Sequence, residues 1–208
     1  MIQARYRELE IHQEAAGMIL EGIVTSQNES GELNIAPMGP QVDQAMSQLV
    51  LRPFQTSRTF SNLKETRCGV FHVVDDVLLL AKTAIGTLQE TPETFPAEKI
   101  TGRVLASACR WYEFQIATID ESDARTVMQA IVIHQGRIRD YFGLNRAKHA
   151  VLEAAILATR THIIEQSELL AQYQALAEIV RKTAGPDEQT AFRLLEEFIS
   201  KAYAEAQS

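Results

Sequence analysis

The chain has 208 residues, of which 46% are hydrophobic and 23% are charged, values typical of a soluble globular protein. Its net charge of −7 and pI near 5.3 argue against nucleic acid as the main partner, because a polyphosphate backbone is bound by clustered Lys and Arg. No apolar run approaches the roughly 18 residues that span a bilayer, so we expect no membrane association.

The N-terminal residues 1–17 carry glutamates and lack the basic-then-apolar layout of a signal peptide. The two cysteines, Cys68 and Cys109, lie in separate strand-like segments, which is typical of reduced core thiols. We therefore expect a cytoplasmic protein.

Up to about residue 140 the apolar pattern has a period near two, which predicts β-strands. Two short helical patterns interrupt the strands, near Ser57–Arg67 and near Val77–Ile85. About six strands with short connections predict a mostly antiparallel barrel. The strand-like segments are Met18–Ser26, Glu32–Met38, Met46–Phe54, Gly69–Asp75, Arg103–Asp120 and Ala124–Ile138.

From Asn145 onward the apolar period changes to 3.6, which predicts three helices joined by tight turns. Asn145 is a candidate N-cap for the first helix, which is predicted to run to Gln166; the next two begin at Ser167 and Asp187. The sequence thus predicts an α+β protein, with an antiparallel barrel of about six strands in residues 1–143 and a three-helix unit packed on it in residues 144–208.

A polar stretch follows the third predicted strand. The strand ends at Arg52-Pro53, and Thr56, Ser57, Arg58 and Thr59 come just before a helical pattern. The first N–H groups of a helix have no intrahelical partner, and the helix dipole favours an anion there. Two interpretations are open: a phosphate site to which Arg52 contributes, or ordinary N-caps with a solvated arginine.

The second predicted strand runs into Pro37, Gly39 and Pro40. Pro37 has no N–H and Gly39 has no Cβ, so a flat ligand could approach the backbone closely. Asn34 both donates and accepts hydrogen bonds, which suits a heterocycle edged with C=O and N–H groups. The alternative is a simple turn.

Together these segments resemble the FMN-binding split-barrel superfamily, which includes flavin-reductase-like domains. The resemblance is carried by "LNIAPMG" (Leu33–Gly39), "RPFQTSRTFSNL" (Arg52–Leu63) and the strand "CGVFHVV" (Cys68–Val74). A closer resemblance is to an uncharacterised prokaryotic branch, a domain-of-unknown-function family with a helical C-terminal part. The helix of that branch looks like "NRAKHAVLEAAILATR" (Asn145–Arg160).

The resemblance implies a split barrel and a homodimer with FMN at the subunit interface. Carried onto this sequence, it implies that the phosphate is held by Arg52, Thr56, Ser57 and Thr59. The ring or ribityl chain would be bordered by Asn34, Ala36 and Pro37, with Asn62 as a second-line contact.

The first C-terminal helix carries a polar stripe. At about 100° per residue, Arg146, His149, Glu153 and Arg160 fall within a sector of roughly 60°. One interpretation is that Arg146, His149 and Arg160 bind an anionic substrate, with Glu153 orienting one of them. The other is a structural i,i+4 network between His149 and Glu153. No histidine spacing predicts a metal site.

The expected function is an FMN-dependent oxidoreductase that transfers electrons or hydride between a reduced cofactor and an unknown small molecule, and the sequence points to no catalytic side chain. One alternative is a non-catalytic flavin-binding or partner-docking module. Another is a barrel for a different phosphorylated heterocycle.

Overall fold

The computed structural model describes residues 17–206, which form an α+β protein. Residues 1–17, from which we predict that there is no signal peptide, lie outside the described residues apart from Gly17. The strands are β1 (Met18–Ile19), β2 (Gly22–Gln27), β3 (Leu33–Met38), β4 (Gln41–Val42), β5 (Gln48–Leu51), β6 (Cys68–Val73), β7 (Thr94–Pro96), β8 (Arg103–Leu105), β9 (Arg110–Asp120) and β10 (Val127–Arg137). The helices are α1 (Arg58–Thr66), α2 (Val77–Ala84), α3 (Arg146–Ala158), α4 (Gln166–Thr183) and α5 (Pro186–Ala206).

Eight strands form one antiparallel sheet in the order β1-β4-β5-β10-β9-β6-β2-β3, and β7 and β8 form a separate hairpin. The two longest strands, β9 and β10, pair with register shifts at Gln129/Ala130 and at Val132/His134. Such irregularities bend strands and increase their twist, which favours the curling of a sheet into a half-barrel. The sheet leaves β3 at one edge, where it pairs only with β2 among the described strands.

The predicted α+β, split-barrel-like fold is confirmed, with a larger sheet than expected. Each of the six predicted strand segments contains a strand, and Arg103–Asp120 divides into β8 and β9. The two predicted short helices are α1 and α2. The predicted segment Met18–Ser26 likewise divides, into β1 and β2. The strands that the pattern missed, β4 and β7, have only two or three residues, too few to display a period of two.

The barrel core is closed on one side by α1. Phe60 and Leu63 of this helix are buried with residues of six strands. Because residues three apart lie on the same face of a helix, Thr59 and Asn62 share a neighbouring face, and both are buried. The core side chains are Val24, Val42, Leu49, Leu51, Phe60, Leu63, Phe71, Tyr112, Phe114, Ile116, Met128 and Ala130.

The helical core contains α2 as well as the predicted three C-terminal helices. Val77, Leu80 and Ala81 of α2 are buried with residues of α3, α4 and α5, whereas Leu79 is buried against Ile23 and Leu105 of the barrel. The sequence of α2, VLLLAKTA, is apolar around most of its circumference, which is typical of a helix buried on more than one side. This helix therefore links the two cores.

The predicted first C-terminal helix is too long. Asn145 is its N-cap, as predicted, and accepts hydrogen bonds from the N–H groups of Ala147 and Lys148 at 2.8 and 3.2 Å. However, α3 ends at Ala158 and is followed by turns. The following residues include several β-branched side chains, which lower helix propensity, and the hydroxyl of Thr159 bonds to a backbone carbonyl.

A polar network around Asp75, the junction network (Asp75, Arg139, Lys148 and Glu188), ties the helices to the barrel. The Asp75 carboxylate accepts two hydrogen bonds from the Arg139 guanidinium and one from the Phe142 N–H at 2.8 Å. Lys148 Nζ donates to the Asp75 carbonyl oxygen at 2.6 Å and pairs with Glu188 at 2.8 Å. The hydrogen bonds from Arg139 hold the pKa of Asp75 well below its usual range.

No helix within residues 17–206 is both long enough and apolar enough to cross a membrane.

Candidate functional site

The two segments singled out by sequence meet at the edge of the barrel. Asn34 lies on β3, and its side-chain Nδ2 donates a hydrogen bond to the Thr59 hydroxyl on α1, with the two atoms 3.0 Å apart. The polar stretch before α1 and the proline-containing strand therefore form one continuous surface.

The start of α1 has a hydroxyl N-cap. Ser57 is extended, and its Oγ accepts a hydrogen bond from the Phe60 N–H at 3.1 Å. The same hydroxyl donates to the Phe54 carbonyl at 2.7 Å, and the Ser57 N–H donates to that carbonyl at 2.9 Å. Both donors of Ser57 are therefore used within the chain. The residue shapes the loop as a cap and, in this arrangement, has no hydrogen left for a ligand.

Several donors around Ser57 have no partner within residues 17–206. The backbone N–H groups of Arg58 and Thr59 make no hydrogen bond, as expected for the first residues of a helix, and neither does that of Thr56 in the preceding turn. The side chains of Arg52 and Thr56 are exposed and make no polar contact with the described residues. Arg58 lies 3.6 Å from Glu32, and both side chains are mostly exposed. The loop thus presents several free donors to solvent.

Beneath this loop lies a group of buried and half-buried polar side chains, the amide–hydroxyl cluster (Ser26, Asn34, Thr59 and Asn62). Asn34 Nδ2 lies 3.4 Å from Ser26 Oγ and 3.0 Å from Thr59 Oγ1, and Asn62 Nδ2 lies 3.2 Å from Ser26 Oγ. Ser26, Thr59 and Asn62 are each less than 9% exposed. Both amides are oriented as donors to hydroxyl oxygens.

The sequence interpretation missed Ser26. This residue lies opposite Asn34 in the β2–β3 register, so the two side chains point to the same face of the sheet. The signal was available, because a hairpin with turn residues Asn28 and Gly31 pairs residues whose numbers add up to 60. Ser26 stands between Thr25 and Gln27, and a serine among polar residues at a strand end gave no reason to search for a partner.

The outer side of β3 is the open edge of the sheet. Ala36 and Pro37 lie opposite Val24 and Ile23 of β2, and no strand of the described chain pairs with the other side of β3. Proline is tolerated in a strand mainly at such an edge, where its missing N–H costs no ladder hydrogen bond. The strand continues through Pro37 to Met38, so the prolines mark an edge as well as an end.

A carboxylate lies against the end of this edge. A Cβ atom at Gly39 would come within 2.7 Å of the Glu21 carboxylate oxygens, so a larger residue there would require the Glu21 side chain to move. Burial raises the pKa of Glu21, and the Glu153 carboxylate on α3 raises it further. Glu153 therefore faces the barrel near the end of β3, which brings the polar stripe of α3 to the margin of the same surface.

The four residues of the predicted stripe are not all on one helix face. Arg160 lies beyond the end of α3, so its predicted helical position is wrong. Arg146, His149 and Glu153 are exposed on α3, and His149 forms no ion pair with Glu153. Within residues 17–206 the side chains of Arg146 and His149 have no polar partner. The i,i+4 network is therefore not formed in this structure.

A cavity of about 410 Å³ lies elsewhere, at the C-terminal end of α1. Arg67, Cys68 and Lys99 line part of it, and none of the predicted site residues does. Burial raises the pKa of the Cys68 thiol, which disfavours the reactive thiolate. Both cysteines are free thiols. We assign the candidate site to the β3–α1 surface, where free donors and an open backbone edge meet.

Comparison with protein-family models gives two matches that together cover most of the chain. Residues 20–139 match the family described as protein of unknown function (DUF447) N-terminal domain, and residues 145–197 match protein of unknown function (DUF447). The chain belongs to the DUF447 family. The resemblance to a domain-of-unknown-function family with a helical C-terminal part is thereby confirmed. No curated protein matches this DUF447 chain.

Solved structures show the same fold. An FMN-bound protein from Methanosarcina mazei, itself a DUF447 protein, is 24% identical, with a TM-score of 0.75 over 88% of this chain and 95% of that one. The styrene monooxygenase flavin reductase of Pseudomonas putida S12 is 11% identical, with a TM-score of 0.50 over 58% and 82%. The flavin reductase HpaC, solved with NADP+, is 14% identical, with a TM-score of 0.50 over 68% and 90%. The DUF447 chain therefore has a split-barrel, flavin-reductase-like fold.

Proposed function

We propose that this DUF447 protein binds FMN, with the phosphate at the start of α1 and the ring along the outer edge of β3. The observation that carries the proposal is the Asn34–Thr59 hydrogen bond of 3.0 Å, which joins a cluster of free donors to an open strand edge. The FMN bound to the solved DUF447 relative from Methanosarcina mazei supports the same assignment.

The donor set fits a phosphate. The unpaired N–H groups of Arg58 and Thr59 lie at the positive end of the α1 dipole. The hydroxyl of Thr56 and the guanidinium of Arg52 are exposed and unpartnered within the described chain, so they can turn toward an anion without losing an existing bond. Ser57 would contribute by capping α1. The side-chain oxygen of Asn34, Oδ1, has no partner in the described chain and can accept a hydrogen bond from a ribityl hydroxyl.

The edge of β3 fits the flat part of the molecule. On an edge strand, alternate residues direct their backbone C=O and N–H groups to the outer side, where they have no strand partner. The carbonyl of Pro37 can therefore accept from a ring edged with complementary groups, while Ala36 borders that ring. This surface is an open ledge rather than a closed pocket. A homodimer, as in the family that the sequence resembles, would cover the second face of the ring, and we propose that the site is completed across a subunit interface.

Bound FMN supplies one-electron and two-electron transfer, and the protein supplies position, hydrogen bonds and charge. We propose an oxidoreductase acting on a small molecule. Arg146 and His149 are the residues that we propose for an anionic substrate, because both are unpartnered and exposed on the helix that approaches the end of β3 through Glu153.

The test of FMN binding uses the purified protein and flavin titration. The wild type is expected to carry or take up FMN, seen as a visible flavin spectrum. The double variant Arg52→Ala/Thr56→Ala is expected to lose about 100-fold or more in FMN affinity, because two hydrogen bonds to a charged group are removed. Its thermal unfolding should be unchanged, since both side chains are exposed.

A matched control is Arg110→Ala/Thr91→Ala, which removes one exposed arginine and one exposed threonine from other parts of the surface. It changes the net charge equally and is expected to leave FMN affinity within a factor of two. Equal FMN affinity in the wild type and in the Arg52→Ala/Thr56→Ala variant would refute the phosphate assignment.

A second candidate function is a flavin-binding module that docks a partner. It is favoured by the exposed aromatic and aliphatic side chains of Tyr141, Phe142 and Leu144, of which the last two are more than 80% exposed. Anaerobic titration with a reduced nicotinamide separates the two. Bleaching of the flavin spectrum at a rate above that of free FMN supports the enzyme, whereas an unreduced flavin supports the docking module.

A further inference from the structure

The hydrogen bonds of the amide–hydroxyl cluster constrain how its two asparagine side chains are oriented. Ser26 Oγ is approached by two amide nitrogens, Asn34 Nδ2 at 3.4 Å and Asn62 Nδ2 at 3.2 Å. A hydroxyl carries one proton, so it can satisfy at most one amide oxygen. At least one of the two amides must therefore present its NH2 group to Ser26, and the observed arrangement has both do so, which occupies both lone pairs of Ser26.

The orientation of Asn34 determines the role of Thr59. One N–H of Asn34 points to Ser26 and the other points to Thr59 Oγ1, so Thr59 acts as the acceptor in this contact. If the Asn34 amide were flipped, the Thr59 hydroxyl would donate its proton to the Asn34 side-chain oxygen. As observed, that proton has no acceptor among residues 17–206, although Thr59 is only 4% exposed.

The unused proton lies at the proposed phosphate position. Thr59 is the second residue of α1, next to the unpaired N–H groups of Arg58 and of Thr59 itself. The Thr126 hydroxyl is also buried without a partner in the described chain, so an unused hydroxyl proton alone does not mark a site. At Thr59 the unused proton lies beside two free backbone N–H groups at the positive end of a helix, and these three donors together fit an anion.

We propose that Ser26, Asn34 and Asn62 are positioning residues that hold the Thr59 hydroxyl as a donor to the FMN phosphate, and so set the preference for FMN over riboflavin. The inference rests on the proposed FMN function. Ser26 anchors both amides, Asn34 occupies the acceptor side of Thr59, and the Thr59 proton is left for the phosphate. None of the three positioning side chains needs to touch the phosphate.

The experiment measures the dissociation constants of FMN and of riboflavin by quenching of flavin fluorescence, and compares their ratio across variants. Thr59→Val removes the hydroxyl with little change in shape and is expected to lower the preference for FMN by about tenfold or more. Thr59→Ser keeps the donor and is expected to retain the preference within about threefold. Riboflavin affinity should stay within a factor of about two in both.

The positioning role is tested by Ser26→Ala, which is expected to lower the preference for FMN by about fivefold, because the Asn34 amide loses an anchor and no longer fixes Thr59. Ser61→Ala is the matched control, since Ser61 is an exposed serine on α1, the helix that carries Thr59, and its replacement should leave the ratio unchanged. A purely structural role for Ser26 would weaken FMN and riboflavin equally, and that outcome overturns the proposal.

If Ser26→Ala does not fold, the Thr59→Val and Thr59→Ser pair decides alone: an unchanged FMN-to-riboflavin ratio in Thr59→Val overturns the proposal. The outcomes also separate the two levels of inference. A wild type that binds no flavin sinks the FMN function and this inference together. A wild type that prefers FMN, with Ser26→Ala keeping that preference, sinks only the positioning role.

Discussion

The amide–hydroxyl cluster and the junction network are both polar groups at the margin of the barrel, but they differ in how completely they are paired. In the junction network the Asp75 carboxylate accepts three hydrogen bonds, and Lys148 and Glu188 pair with each other. At the β3–α1 surface the N–H groups of Arg58 and Thr59 and the Thr59 hydroxyl proton remain without acceptors in the described chain.

This difference separates polar groups that are satisfied within the described chain from groups whose donors remain available to a ligand. A buried polar network is stabilising only when all of its members are satisfied, and the junction network meets that condition. The N–H groups of Arg58 and Thr59 are those that any helix start leaves without an intrahelical partner, and the buried Thr59 hydroxyl adds a donor that a bound anion would satisfy. Substitutions in the junction network should thus lower the unfolding free energy and leave flavin affinity unchanged. Substitutions of exposed donors at the β3–α1 surface should lower flavin affinity and leave the unfolding free energy unchanged.

The largest effect is expected from Asp75→Ala. It leaves the Phe142 N–H and the Arg139 guanidinium, which is 40% exposed, without their acceptor. Loss of three hydrogen bonds to one buried carboxylate costs roughly 3 kcal/mol of unfolding free energy. Denaturant unfolding measures this loss, and FMN affinity of the folded fraction should be unchanged. Asp140→Ala, in an exposed pair with Arg137, is the control and should cost less than about 0.5 kcal/mol. Equal losses of unfolding free energy in Asp75→Ala and Asp140→Ala would show that the junction network contributes no more to stability than an exposed ion pair.

A pH-dependent loss of unfolding free energy of similar size is expected from His72, a buried side chain of β6 whose two ring nitrogens are both hydrogen-bonded. Its Nδ1 donates to the Ile23 carbonyl at 3.0 Å, its Nε2 accepts from the Leu105 N–H at 3.1 Å, and burial lowers its pKa to about 4. Below pH 6.5 the unfolded chain takes up a proton that the folded chain excludes, so the unfolding free energy falls by about 3 kcal/mol between pH 6.5 and 4.

This contribution is isolated by comparison with His72→Gln, which keeps a donor and an acceptor but cannot titrate. The difference in unfolding free energy between wild type and variant, measured from pH 7 to 4.5, should shrink as the pH falls. Asp75 does not interfere, because its lowered pKa removes stability only below about pH 4. Parallel pH profiles for the two proteins would show that His72 is protonated in the fold.

A smaller effect is expected from Lys148→Met. Glu188 is 8% exposed in its side chain and would keep only the Gly185 N–H as a partner, so we expect a loss of about 2 kcal/mol. The double variant Lys148→Met/Glu188→Leu should recover part of this loss, because no buried charge remains. Additive losses in the double-mutant cycle would show that the pair is not coupled.

The smallest effect is expected from His149→Ala on α3. The side chain is exposed and has no polar partner in the described chain, so unfolding free energy should change by less than about 0.5 kcal/mol and FMN affinity should be unchanged. If the protein turns over an anionic substrate, only the rate or KM for that substrate should change. Loss of folding in His149→Ala would show that the His149 side chain is needed for the structure.

Much of the fold could be predicted from local patterns. The period of two located the six main strand segments, and the Asn145 cap and the Gly185-Pro186 pair marked two helix boundaries correctly to within a residue. The end of α3 was wrong, because periodicity continued past Ala158 although the chain turned. The membership of α2 in the helical core could not be read from its sequence, since an apolar helix does not indicate which neighbour it contacts.

The candidate site was predicted in part. The resemblance brought together the segments of Asn34 and Thr59, and the structure joins them by a hydrogen bond. It did not predict that Ser57 uses both of its donors within the loop, because a capping serine and a ligand-binding serine have the same sequence signature. The stripe of α3 was overextended to Arg160 for the same reason that the helix was.

By itself, the sequence determined the order and type of the main elements, the caps of α1 and α3, and the family, since these depend on residues close together in the chain or on a recognisable motif. Only the tertiary structure decided which polar groups are satisfied. Whether a donor finds an acceptor depends on distances between residues far apart in sequence, such as Ser26 and Asn62 or Asp75 and Arg139, and those distances exist only once the sheet has curled and the helices have packed.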